Sequence, residues 1–195
     1  MKLKKTTLFA VFGFFFLFII KTANSLHTKI IFKLIDPPVL LLLSMLSYLF
    51  IIFFFYSLFR KYAKSGSLKA ASLLTAIGFL FQLLLDLHII AFHQNNPFAK
   101  TFGIGFPFIL LIILCYFFIT FARESGENLK LRLSAFVALG SIVLSLVIYL
   151  ILMFNFYLGR KLTFNVSLGI IIFTLIFFTH IYFYIIFYRE IDALK

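Results

Sequence analysis

Six apolar stretches of about twenty residues each follow one another along this sequence with only short polar breaks between them, and no other feature limits the fold as tightly. In hydrocarbon a backbone must satisfy its own N–H and C=O groups, which an α-helix does within one segment. Apolar residues make up 64% of the 195. That share fills about six spans and leaves no room for a separate domain of even about 50 residues. The sequence is therefore read as a single all-α membrane domain over 1–195, a polytopic transmembrane bundle without a soluble domain. Soluble enzymatic modules are excluded.

The spans are expected at about 6–22, 38–59, 70–92, 103–121, 134–158 and 165–188. In the first, Thr6 and Thr7 extend the apolar run from Leu8 to Ile20. Ala23-Asn24-Ser25 resembles a small-residue cleavage site, but the segment is read as an uncleaved helix; were it only interfacial, five spans would remain. Leu26, Ile30, Ile31, Leu34 and Ile35 recur at helical spacing around His27, Lys29 and Lys33, the pattern of an interfacial helix over 26–35. Asp36-Pro37-Pro38 then opens the second span. Gln94-Asn95-Asn96-Pro97 closes the third, Pro107 is placed in the first turns of the fourth, and Gly159-Arg160-Lys161 separates the last two.

The formal charge of +12 lies at the ends of the apolar runs, so topology explains it without nucleic acid. Lys2, Lys4, Lys5, Arg60, Lys61, Lys64, Lys69, Arg123, Lys130, Arg132, Arg189 and Lys195 fall on one side, against Lys21, Lys29, Lys33, Lys100, Arg160 and Lys161 on the other. This bias orients both termini of a six-span chain toward the cytoplasm of a bacterial inner membrane. The single cysteine, Cys115, lies inside an apolar run and supports neither a disulfide framework nor a metal site.

Only one acidic residue, Asp86, falls well inside a span, where ionisable groups are costly and face a bundle interior or a wet cavity. At 100° per residue, Thr75, Gln82, Asp86 and His93 share one side of the third span, with Gly78 beside them. That stripe reads either as a hydrated path or sensor site, or as packing, in which Asp86 bonds a Ser, Tyr or Lys of a neighbouring helix or the stripe forms a polar seam between subunits. Ser134, Ala138, Ser141 and Ser145 make a small-residue face on the fifth span for close helix packing, within the chain or between subunits. Ser44, Ser47 and Tyr48 can bridge helices through hydroxyl groups. His180, Thr179 and Tyr184 are expected to form one satisfied polar cluster, and His88 and His180 lie at depths too different to share a haem. The first helix, with Phe12, Phe14, Phe15 and Phe16, is read as lacking a small-residue docking face.

No nucleophile elbow, zinc-binding His-Glu-x-x-His, paired intramembrane carboxylates or clustered Asp is found. No catalytic residue, metal ligand or cofactor is assigned, and an enzyme is not expected. The expected partners are the lipid bilayer, further copies of the chain and a cytoplasmic protein, docked through Arg60, Lys61, Lys64, Lys69, Arg123, Lys130 and Arg132. The alternative is a small oligomeric channel or a solute carrier that uses the stripe of the third span. In its size, the dominance of its spans and the basic stretches Arg60 to Lys69 and Arg123 to Arg132, the chain resembles the polytopic membrane subunit of Kiwa-type bacterial anti-phage systems. The resemblance implies an oligomer that senses a perturbed envelope and relays to a cytoplasmic DNA-binding protein.

Overall fold

A computed structural model describes residues 3–25, 37–61, 65–91, 97–157 and 166–191. These residues form six helices and no strand: α1 (Leu3–Ser25), α2 (Pro37–Lys61), α3 (Gly66–Ala91), α4 (Pro97–Glu124), α5 (Leu129–Tyr157) and α6 (Val166–Glu190). At 23 to 29 residues each, they extend for about 35 to 43 Å, longer than a hydrocarbon core of about 30 Å. Five of them, α1 to α5, contain windows apolar enough to cross a membrane. The chain is a multi-pass α-helical membrane protein.

Local capping moves several helix starts ahead of the apolar runs. The Ser65 hydroxyl accepts the Leu68 backbone N–H at 3.1 Å, so α3 opens at Gly66, four residues before the apolar register expected at 70. Asn128 caps α5 in the same way, its side-chain oxygen accepting the Leu131 N–H at 3.1 Å. The expected loop over 123–132 thereby shrinks to a turn at 125–128, closed by Gly126 at φ +57°, a value that a side chain would strain. Pro97 takes the first position of α4, where its missing N–H is harmless. Pro107 consequently lies in the helix interior rather than its first turns, and the Gly103 carbonyl loses its usual donor. The interfacial helix expected over 26–35 lies outside the described residues.

Each helix packs against its neighbours in sequence, and α6 returns against α1, so the six helices form a closed ring. Short connections make successive helices antiparallel, which puts the start of α1, α3 and α5 and the end of α2, α4 and α6 at one end. That end carries most of the described cations and is called the basic end below.

Aromatic side chains fill the axis of the ring near the basic end. Phe54 of α2 meets Tyr184 and Phe187 of α6 edge to face at 4.9 and 5.5 Å. Phe55 meets Phe117 of α4 at 4.9 Å, and Phe118 meets Phe183 at 5.0 Å. All seven are essentially inaccessible. They lie three to seven residues from their helix ends, or within about 11 Å of the basic end. Edge-to-face contacts of this kind add to area burial, and they join α2, α4 and α6 across the centre.

At Gly13, α1 and α2 approach closely. Thr6, Ala10 and Gly13 are buried on one side of α1, and a Cβ on Gly13 would stand 2.7 Å from the Ser47 carbonyl oxygen. The first helix thus carries the small-residue face that its phenylalanines conceal in the sequence.

Candidate functional site

The stripe on α3 turns inward. Thr75 is buried and donates to the Ala71 carbonyl at 2.8 Å. Gln82 is 8% exposed, and its Nε2 donates to Asp86 Oδ1 at 2.8 Å. The other carboxylate oxygen, Oδ2, accepts the Tyr48 hydroxyl from α2 at 2.7 Å. Tyr48, itself only 3% exposed, therefore ties the middle of α2 to the outer part of α3. Its phenol extends toward the start of α2 and the Asp86 carboxylate toward the start of α3, so the two meet although their Cα atoms differ in depth. His93 lies outside the described residues.

Two polar atoms on this face have no hydrogen-bond partner among the described residues: Gln82 Oε1 and the Ser72 hydroxyl. Ser72 is fully buried and was missed in the sequence, although it precedes Thr75 by three residues and so shares its side of the helix. Two donors into one carboxylate position it and join two helices. Among the described residues no group of three His, Cys, Asp or Glu could hold a metal ion.

The small-residue face of α5 is also internal. Ser134 and Ala138 are fully buried, Ser141 and Ser145 nearly so. Ser134, Ser141 and Ser145 donate to carbonyls three or four residues back, at 2.7 to 2.8 Å. The Thr179 hydroxyl of α6 lies 2.8 Å from Ser141 Oγ and 2.9 Å from the Ile176 carbonyl. Ser141 of this face thus meets α6 of the same chain.

Thr179, His180 and Tyr184 do not form the single cluster expected of them. Thr179 is directed to α5, whereas the His180 Nδ1–H donates to the Ile176 carbonyl at 2.8 Å. The imidazole sits between Phe14 and Phe118, at 5.3 and 5.4 Å. The Tyr184 hydroxyl is buried without a hydrogen-bond partner among the described residues.

At the basic end Glu124 and Glu190 tie helices together, while Glu127 is exposed in the turn between α4 and α5. Glu124 at the end of α4 accepts hydrogen bonds from Ser65 and Ser67 at the start of α3. Glu190 at the end of α6 accepts from Asn128 Nδ2 at 3.1 Å and lies 3.5 Å from Lys130 Nζ. Lys130 keeps 74% of its side chain exposed, so this ion pair adds little to stability. Arg60, Lys69, Arg123 and Arg132 are exposed. Lys61 ends α2, and Lys64 lies outside the described residues. No family model, curated protein or solved structure matches the chain.

Proposed function

We propose that the chain is a non-enzymatic subunit of the bacterial inner membrane that oligomerises and serves as an envelope sensor or as the anchor for a cytoplasmic partner. The observation that carries this reading is the aromatic filling of the ring near the basic end, where alternate helices meet at 4.9 to 5.5 Å. A bundle closed in this way at its basic end works through that end and its outer surface. The charge bias turns the basic end to the cytoplasm, where the α2–α3 and α4–α5 connections and both chain ends would meet a partner. The resemblance to Kiwa-type membrane subunits extends the proposal to anti-phage defence, with a cytoplasmic DNA-binding protein as that partner.

The test is purification from the native membrane in mild detergent at about 0.15 M salt, where exposed charge attraction is largely screened. The expected result is an oligomer that retains a stoichiometric soluble protein. A species that binds no soluble protein refutes the anchor reading.

A channel or carrier is the second reading, and the unpartnered Gln82 Oε1 and Ser72 hydroxyl favour it, because orphan polar atoms in a bundle invite water. In this reading water enters between α2 and α3 within one bundle, since the stripe is turned away from the outer surface that a pore between subunits would use. Asp86→Asn should then change ion flux into liposomes, whereas an anchor keeps its partner after that substitution.

A further inference from the structure

Each of the six helices carries an exposed cation within three residues of the basic end: Lys5, Arg60, Lys69, Arg123, Arg132 and Arg189. We propose that these six form a collar that holds the phosphates of anionic phospholipids around the rim of the bundle, rather than a surface for a soluble partner beneath it.

The radial placement of the collar carries this assignment. On α2 the exposed apolar residues Leu42, Leu46, Leu49, Phe53 and Tyr56 recur every three or four positions, and Arg60 is the next member of the series. On α4 the series Ile109, Ile112, Tyr116 and Ile119 continues into Arg123. On α6 Ile171, Leu175, Phe178, Tyr182 and Ile185 continue into Arg189. The cations thus terminate the surfaces that face lipid, at headgroup depth.

Two guanidinium groups also lean back along that surface. Arg60 lies 6.0 Å from the centroid of the Tyr56 ring, and Arg132 lies 5.9 Å from that of Phe136. Both rings are more than 40% exposed, so each guanidinium rests on the lipid side of its helix. None of the six cations makes an ion pair with a described carboxylate: Glu124 and Glu190 are engaged by Ser65, Ser67, Asn128 and Lys130, and Glu127 is exposed in the turn between α4 and α5.

Helix dipoles do not explain the set. They favour Arg60, Arg123 and Arg189 at helix C-termini but oppose Lys5, Lys69 and Arg132 in the first turns of α1, α3 and α5. An external anion at the rim satisfies all six alike. A planar guanidinium donates to two phosphate oxygens at once, and a ring of cations at one depth matches the layer of headgroup phosphates. This lipid role stands whether or not a soluble partner binds.

The test uses the whole protein in bilayers of phosphatidylcholine with about one-fifth phosphatidylglycerol, and measures the relative affinity of spin-labelled versions of the two lipids. The wild type should prefer phosphatidylglycerol, and near-surface attraction predicts a loss of about fivefold per neutralised site at low salt. Arg60→Gln with Arg132→Gln should lower the preference at both sites, and Arg60→Lys with Arg132→Lys should retain much of it. Thermal unfolding in detergent checks that all forms are folded. A wild type without lipid preference overturns the proposal, as does a glutamine variant with undiminished preference. If that variant keeps its lipids but loses a soluble protein that the wild type retains, the collar belongs to the protein partner and the lipid assignment fails.

Discussion

Replacing Gly13 by alanine tests the α1–α2 contact against an internal standard. The new methyl would stand 2.7 Å from the Ser47 carbonyl oxygen, 3.2 Å from Ile51 Cγ1 and 3.2 Å from Phe50 Cβ. A carbon and a carbonyl oxygen settle no closer than about 3.3 Å, so α1 must retreat by roughly 0.6 Å. The obstacle is the backbone of α2 and cannot rotate away. Overpacking of this kind costs about 1 to 3 kcal/mol, against a gain of about 1 kcal/mol from exchanging glycine for alanine in a helix. The net expectation is a loss of about 1 kcal/mol. At Gly140, exposed on α5, an added Cβ meets nothing within 4 Å, so the same substitution should be neutral or stabilise by up to about 1 kcal/mol. Gly78 is intermediate, because its nearest neighbour at 2.9 Å is the tip of the Leu110 side chain. Reversible unfolding in mixed micelles, titrated with a denaturing detergent, should rank Gly13→Ala lowest, Gly78→Ala between and Gly140→Ala highest. If Gly13→Ala is as stable as Gly140→Ala, the close approach of α1 to α2 is wrong.

Other substitutions follow from single contacts. Tyr48→Phe should destabilise by roughly 0.5 to 1.5 kcal/mol, the range of hydrogen bonds between membrane helices, and a double-mutant cycle with Asp86→Asn should show coupling of similar size; additivity would dissolve the Tyr48–Asp86 bond. Tyr184→Phe removes a buried hydroxyl without a partner and should stabilise by about 1 kcal/mol, so a clear loss of stability would contradict its orphan state. Ser65→Ala and Asn128→Ala each delete an N-cap at about 1 kcal/mol, and amide exchange should quicken in the first turns of α3 and α5, respectively. Unchanged exchange rates there would count against the caps.

The apolar stretches, the cations at their ends and the polar stripe of α3 were legible because each is local, whereas the inward turn of that stripe depends on how α3 is rotated against α2. The caps were legible in principle, since Ser65 and Asn128 are good N-cap residues, but the apolar runs drew the boundaries too far inward. Gly13 was hidden among phenylalanines, and its role appears only when α2 is placed against it.

The sequence by itself determined a helical membrane bundle, because about twenty apolar residues in a row have few other ways to satisfy their backbone in lipid. It also set where the cations gather, since charges are costly inside those runs and gather at their ends. Only the tertiary structure decided which side of each helix is inside. In a soluble protein polarity marks the outer face, but here lipid and core are equally apolar, and Phe53 is 51% exposed while Phe54 beside it is fully buried. The closure of α6 onto α1, the aromatic filling of the axis and the bond from Tyr48 to Asp86 across 38 residues depend on rotations about helix axes. Those rotations are chosen by packing and a few hydrogen bonds rather than by water.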